Sequence, residues 1–410
     1  MLLLMVGNGL QGTLLGVRGA IEGFSTFEIS IVMSAYFLGF LGGSRAAPDL
    51  IRRVGHIRVF AALASTISAV LILYPALANP IAWTIFRVII GFCFSAVYVT
   101  AESWLNNAST NQNRGKTLSV YMIVQMSGIV MAQGLLVMGD PSGYILFVVL
   151  SVLVSISFAP ILLSVTPTPS FETTKPMGLK EIYSVSPLGC VGIFLMGGVY
   201  SAQFGMASVY GIEANLSLGE ISLFVSSIYI GGMLLQYPIG WISDRMDRRL
   251  LILMVAAAGG AAAIVAAIGG TTFWVLLTTG FLIGGTSNPL YALLMAYTND
   301  FLEHDQMAAA GGRLIFLNGL GAIAGPLLVG GIMTTFGAPG FFIFMGALMI
   351  GVAGYAAFRM TVRPAPSKNE TGSYAPVLPS SSSVTLEIAQ ELFSDSTNDE
   401  TTELQKPSAT

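Results

Sequence analysis

Charge is the scarcest thing in this chain: Asp, Glu, Lys and Arg together make up 10% of its 410 residues. An ordinary soluble domain carries roughly a quarter charged residues, so a soluble globular class is excluded at once. Cysteine and histidine are scarcer still, at two each. Cys93 and Cys190 lie inside apolar runs and read as small buried residues, which excludes a disulfide framework and a thiolate metal site. His56 and His304 fall in or beside polar turns, and no His, Cys or carboxylate cluster has metal-ligand spacing. Enzyme chemistry finds no assembled nucleophile, base and orienting group. No cofactor, metal or nucleic acid is expected as a partner. The start, Met1-Leu2-Leu3-Leu4-Met5, lacks the basic residues of a signal peptide, and the apolar run continues past Ala20 without a small-residue cleavage site. It reads as a first membrane helix, with an upstream start left open.

What is abundant is apolar surface and glycine. Hydrophobic residues reach 54%, mean hydropathy is +0.76 and glycines number 47, which predicts an all-α polytopic membrane protein. A bilayer core takes roughly 20 apolar residues per helix. That ruler gives twelve transmembrane helices, near 2–21, 28–48, 57–78, 81–104, 116–138, 143–163, 182–209, 218–241, 250–269, 271–298, 307–334 and 339–360. If both termini are cytoplasmic, fifteen of the eighteen Lys and Arg fall in the loops of that side and in the tail. These are Arg45, Arg52, Arg53 and Arg58, then Arg114 and Lys116, Lys175 and Lys180, Arg245, Arg248 and Arg249, and finally Arg359, Arg363, Lys368 and Lys406. None falls in the opposite turns, which are short and neutral or acidic, such as Glu22 to Ser25, Asn79-Pro80 and Gly139-Asp140-Pro141. The positive-inside rule then puts both termini in the cytoplasm, and the membrane expected is the plasma (inner) membrane.

An internal repeat divides the chain. A shift of 193 residues superposes Ser34 on Ser227, Tyr36 on Tyr229, Gly39 on Gly232, Gly91 on Gly284, Tyr98 on Tyr291, Gln125 on Asn318 and Gly128 on Gly321. One offset serving three helices signals two copies of one unit. The expected domains are an N-terminal six-helix half at 1–164, a cytoplasmic linker at 165–181, a C-terminal six-helix half at 182–361 and a tail at 362–410. The linker is the polar run Thr166-Pro167-Thr168-Pro169-Ser170-Phe171-Glu172-Thr173-Thr174-Lys175-Pro176. The tail is rich in Ser, Thr and acidic residues, cannot bury enough apolar surface to fold alone, and is expected to be disordered, apart from a short amphipathic turn near Leu386 to Phe393.

Between the eighth and ninth spans lies Gly240-Trp241-Ile242-Ser243-Asp244-Arg245-Met246-Asp247-Arg248-Arg249, five charges in a short turn. Its pattern, G-x-x-x-D-R-x-x-R-R, resembles the loop signature of the major facilitator superfamily of transporters. The resemblance implies that Asp244 caps a helix end and that Arg245, Arg248 and Arg249 pair across a cytoplasmic gate. Ile51-Arg52-Arg53-Val54-Gly55-His56-Ile57-Arg58 and Glu102-Ser103-Trp104-Leu105-Asn106 are similar to the YcaD-type branch of that superfamily. The first-half loop is a degenerate copy, with Asp49 two places early against the offset. The fifth-helix Gly-Pro signature of antiporters is missing, Gln133 standing in place of Pro, while the eleventh helix carries Gly325-Pro326.

The resemblance implies a secondary transporter that moves a small solute by alternating access, with protons the default coupling ion. Proton-coupled uptake is the expected mode; a proton-driven efflux antiporter, a facilitator, and a membrane sensor or scaffold are the alternatives. A monomer is expected.

On the fourth helix Arg87, Gly91, Ser95, Tyr98 and Glu102 share one face. An Arg within the bilayer costs roughly 2.5–3.5 kcal/mol even on a lenient scale, so Arg87 faces either a water-filled path or a structural partner. Arg18 shares a face of the first helix with Asn8 and Gln11; it either binds ligand or snorkels and pairs with Glu22. The expected substrate-binding set is Asn8, Gln11, Arg18, Tyr36, Arg87, Tyr98, Gln125, Gln203, Tyr229, Gln236, Asn288, Tyr291 and Asn318. The polar members of the second half read equally as packing contacts between helices. Arg52, Arg53, Glu102, Asp244, Arg245, Arg248, Arg249 and Arg313 form the expected gating or coupling set, Glu102 being either a proton site or a partner for loop arginines. The in-helix arginines make the cavity net positive, which predicts an anionic or zwitterionic substrate.

Overall fold

A computed structural model describes residues 1–109, 113–159, 177–269, 272–362, 372, 374–386 and 389–390. The linker 166–176 and the tail cations Arg363, Lys368 and Lys406 lie outside the described residues. The chain is helical, in the order α1 (Leu2–Ile21), α2 (Thr26–Val54), α3 (His56–Ala76), α4 (Pro80–Ala108), α5 (Arg114–Met138), α6 (Ile145–Ser157), α7 (Leu179–Val185) and α8 (Pro187–Ser201). A π-helical segment, Ala202–Met206, joins α8 to α9 (Ala207–Glu213). Then follow α10 (Leu218–Ser243), α11 (Arg248–Ile268), α12 (Phe273–Asn299), α13 (His304–Phe336) and α14 (Gly340–Val362). Among the described residues nine helices are long and apolar enough to cross a bilayer, with α6 a shorter apolar helix. α1 and α12 fall outside that set because Asn8, Gln11 and Arg18 on one, and Thr278, Thr279, Ser287 and Asn288 on the other, dilute their apolar runs.

Local chemistry sets the helix ends. Pro80 and Pro187 open α4 and α8 at the first turn, where a missing N–H costs nothing. Ser25 and Glu28 close a capping box at the start of α2, the Ser25 amide donating to Glu28 Oε2 at 2.8 Å. Ser217 and Glu220 repeat it at the start of α10, also at 2.8 Å. Outward-facing Ile81, Met138, Tyr237, Ile268 and Trp274 are highly exposed, as suits helices whose outer surface meets lipid.

The packing repeats as the sequence does. α2 lies against α4 as α10 lies against α12; α1 pairs with α5 as α8 pairs with α13; α3 meets α6 as α11 meets α14. Between these sets, α2 packs on α13 and α5 on α10. The repeated glycines sit at the crossings: a Cβ on Gly91 would lie 1.9 Å from the Tyr36 carbonyl oxygen, and one on Gly284 1.9 Å from that of Ile228. Only hydrogen fits, and backbone cannot retreat as a flexible side chain can. Gly91→Ala and Gly284→Ala should each lower stability by at least about 1–3 kcal/mol, seen as a fall in melting temperature of the detergent-solubilised protein; an unchanged melting temperature would refute the crossing.

The two ends of the bundle differ. At the end carrying the Glu22 to Ser25 turn, the helix sets touch directly: Ser34 Oγ donates to the Ile323 carbonyl at 2.6 Å, Thr26 bonds Glu213, and a Cβ on Gly330 would meet Ser30 at 2.4 Å. At the other end, which carries Asp244 and is called the loop face below, Leu378 of the tail packs with Met122 and Met126 of α5 and Met233 of α10. The expectation of a disordered tail is therefore corrected for 374–386 and for 389–390. Val377, Leu378, Val384, Leu386 and Ala389 are buried, because the tail covers its few apolar groups against the bundle rather than against itself.

Candidate functional site

The bundle centre holds a polar cluster drawn from four helices. Asn8 on α1 donates through its amide nitrogen to the Tyr98 hydroxyl of α4 at 2.8 Å and to the Tyr36 hydroxyl of α2 at 3.2 Å. Three helices are thereby tied at one depth. Arg87 on α4 is 0% exposed. Its guanidinium carbon stands 4.7 Å from the centre of the Tyr36 ring, and Nη2 lies 3.3 Å from the Met33 sulfur. Among the described residues Nε and Nη1 have no hydrogen-bond partner, and the Gln11 amide and the Tyr74 hydroxyl, which face each other, have none at full hydrogen-bond geometry. Tyr74 of α3 neighbours both Gln11 and Arg87. A buried cation softened only by a ring face and a thioether leaves two strong donors unused. Phe204 of the π-helical segment stacks toward Tyr36 at 5.3 Å, so the second set of helices closes over the cluster.

The remaining expected residues separate into groups. Gln203, within the π-helical segment, donates to Ser287 Oγ at 3.0 Å, and Asn288 donates to the Gly284 carbonyl of its own helix at 3.2 Å. Tyr229 and Tyr291 are buried, the Tyr291 hydroxyl without a partner. Gln236 and Asn318 meet the tail, donating to the Tyr374 hydroxyl at 2.8 Å and to the Pro379 carbonyl at 2.9 Å. Gln125 is buried on α5, one turn beyond Tyr121.

Arg18 is not part of the cluster. It lies at the end of α1 in an ion pair with Glu22 at 2.6 Å and donates to the carbonyls of Pro141 and Gly143 at 3.1 and 3.2 Å. Of its two expected readings the geometry favours the pair with Glu22: a guanidinium already spent on a carboxylate and backbone oxygens has little left for a solute.

Glu102 is buried at the loop-face end of α4 and accepts from the Tyr121 hydroxyl at 2.8 Å, from the Ser382 amide at 3.0 Å and from the Ser382 hydroxyl. Its donors among the described residues are neutral. Nearby His56 is buried and bonds Ser103 at 3.1 Å. Arg313 donates to the Met177 carbonyl at 2.8 Å, anchoring the end of the linker to α13.

The charged turn forms a hub. Arg248 binds both oxygens of Asp300, at 2.6 and 2.7 Å, and also Ser243 Oγ at 3.0 Å and the Gly372 carbonyl at 2.8 Å. Asp244 lies 3.8 Å from Arg248 and accepts the Tyr374 amide at 2.7 Å. Arg249 pairs with Asp247 at 3.0 Å, Arg245 lies over the Trp241 ring at 4.0 Å, Arg52 pairs with Asp49, and Arg53 is exposed. The expected pairing of Arg248 across the two halves is corrected: its carboxylate, Asp300, closes α12 of the same half. Asp300, Met33 and Tyr74 were not among the expected residues. The available signal for Asp300 was a lone acid ending an otherwise apolar helix on the face that bears the charged turn.

Burial lifts the Asp300 carboxyl to about 6, outweighing the attraction of Arg248. Unfolded, such a group titrates near ~3.9. Between those values the folded chain keeps a proton that the unfolded chain has lost, so its contribution to stability falls as pH rises from about 4 to about 6 and is level above. The melting temperature of Asp300→Asn, relative to the unaltered chain, should rise across that window; a difference that falls would contradict the assignment.

A family model, the Major Facilitator Superfamily, matches residues 1–217 and again 189–396. The chain belongs to this superfamily of membrane transporters. It is similar to the MFS-type transporter YcaD of Salmonella heidelberg, at 24% identity over 352 residues, covering 85% of this chain and 91% of that relative. Among solved structures the fold is similar to the nucleoside transporter NupG, with a TM-score of 0.69, 13% identity, and 88% and 98% of the two chains covered. It is also similar to the Escherichia coli fucose:proton symporter FucP, with a TM-score of 0.56, 14% identity, and 87% and 96% covered.

Proposed function

We propose that this protein is a secondary transporter of twelve crossings that takes up a small organic anion or zwitterion with protons, its two six-helix halves rocking about a site centred on Arg87. The observation that carries the reading is the buried Arg87 guanidinium, whose Nε and Nη1 have no hydrogen-bond partner among the described residues. A carboxylate, sulfonate or phosphate group would accept from the Nη1 or the Nε donor that the protein leaves unused, with Nη2 as the second prong of the fork in either approach. Glu102, buried among neutral donors near the loop face, is the group we assign to proton coupling, and the likeness to a fucose:proton symporter supports a proton-linked mechanism. The chain acts as a monomer.

The test is a thermal-shift screen of the purified protein against a metabolite library at two pH values. A true substrate at 100 times its Kd should add about 2.7 kcal/mol of stability, with anions leading the hits. If only cations or neutral polyols shift the protein, the anion assignment is wrong. We place the loop face and both termini in the cytoplasm of a cell with an inner membrane, on the distribution of Lys and Arg. Reporter fusions after Lys175 and Arg363 should report cytoplasm and one after Asn215 the outside; a tail found outside would overturn this orientation.

A further inference from the structure

We propose that the C-terminal segment 374–386, with 389–390, is a tethered ligand of the loop-face vestibule, and that it occludes the path to the central site until it is released. The segment engages both sets of helices. Ser382 donates its amide and hydroxyl to Glu102 of α4, while Leu378 packs on Met122 and Met126 of α5. On the other side Tyr374 receives the Gln236 amide of α10, the Pro379 carbonyl receives Asn318 of α13, and Gln390 donates to the Met307 carbonyl at 2.9 Å. Pro379 and Ser380 line the same narrow cleft as Tyr36, Phe40, Tyr200 and Ile315. Tyr36 is one of the residues around Arg87, so the tail stands between that cluster and the loop face.

The chemistry suits a reversible plug. A short segment that must order on docking binds weakly by itself, but a short tether holds it at an effective concentration on the order of millimolar, enough to keep a weak site filled. Its central anchor is a hydroxyl on a buried carboxylate. A negative charge at Ser382 would remove the donor and set like charges together, so Ser382→Asp is a built-in release. The functional consequence rests on the transport reading above; the docking does not.

The test uses the full-length chain with Cys93→Ala and Cys190→Ala, carrying Ile315→Cys as a reporter of vestibule access, alkylated with a maleimide in detergent. Ending the chain after residue 371, or introducing Ser382→Asp, should speed alkylation at least tenfold. A synthetic peptide of residues 372–392 added to the shortened chain should slow it again in a saturable way. Alkylation of the shortened chain at the full-length rate, or a peptide without effect, would overturn the proposal. Should the shortened chain not fold, an independent arm decides. A Cβ on Gly311 would lie 3.4 Å from Leu386 Cδ1, so Gly311→Cys with Leu386→Cys in the same cysteine-free background should be bridged by a short bifunctional maleimide, and the absence of a cross-link refutes the docking. With a substrate in hand, uptake by the shortened chain should exceed full-length uptake several-fold, and equal uptake would refute occlusion. If docking and access behave as stated while no metabolite stabilises the protein, it is the transport reading that fails.

Discussion

Replacing Arg87 by methionine should raise the melting temperature of the empty protein and at the same time abolish its stabilisation by substrate. Both effects come from the same two stranded nitrogens. In the empty protein the guanidinium is wholly buried, with a ring face at 4.7 Å and a sulfur at 3.3 Å as its described partners. Desolvation of an ion costs several kcal/mol after relaxation, and these soft contacts return only a part of it. A methionine of similar length removes the charge without opening a large void, and a gain of about 1–4 kcal/mol is the scale seen when buried charges give way to apolar groups. With substrate bound the balance reverses, because an anion accepts from one of the stranded nitrogens and from Nη2 beside it. Truncating one partner of such a buried charge pair costs about 2–5 kcal/mol, or on the order of 30-fold to several thousand-fold in affinity. Arg87→Lys should stand between the two, folded and charged but lacking the paired donors. The opposing signs separate this site from a structural one. If Arg87→Met unfolds at a lower temperature than the parent, Arg87 is holding the bundle together, and the anion site must lie elsewhere.

Arg87 was legible because a charge inside a long apolar run contradicts its surroundings, and its helical phase with Gly91 and Tyr98 set the face it presents. Its neighbours Met33 and Tyr74 were not legible. They sit on other helices, are ordinary residues for apolar spans, and acquire meaning only from which helices become neighbours. The 193-residue offset went further than a fold assignment, since Gly91 and Gly284 mark crossings where the backbone of a second helix comes within reach of a Cβ. The same offset could not foresee the π-helical turn at Ala202–Met206, which lies in one copy of the repeat and has no composition of its own.

Two expectations failed for an instructive reason. Composition states whether a segment can cover its apolar groups by itself; it does not say that a neighbour will cover them. The tail has too few apolar residues to form a core, yet Leu378, Val384 and Leu386 find one ready-made. Arg18 shows the converse. Its sequence allowed both a ligand and the Glu22 partner four residues on, and the nearer, geometrically assured partner took it. Arg248 obeyed the motif in being buried and paired, but the motif carries no information about which acid answers it.

That acid gives the second large effect. Arg248 and Asp300 are 4% and 1% exposed, so either one alone would be a buried charge without its counterpart. Asp300→Leu should cost about 3–5 kcal/mol, and Arg248→Met a similar amount. The two changes together should recover most of the loss, since a pair of apolar side chains needs no compensation. Arg248 has a further task that the double variant cannot restore: its Nη2 holds the Gly372 carbonyl at 2.8 Å, and Asp244 beside it holds the Tyr374 amide at 2.7 Å. These bonds fix the entry of the tail into the vestibule. The double variant should therefore regain its melting temperature yet keep an accessible vestibule, measured by alkylation of Ile315→Cys at a rate near that of the chain ended at residue 371. Recovery of stability together with the slow alkylation of the parent would show that Arg248 serves α10 and α12 alone. Failure to recover stability would show that the hub, through Ser243 and Asp244, is more than the pair at its centre.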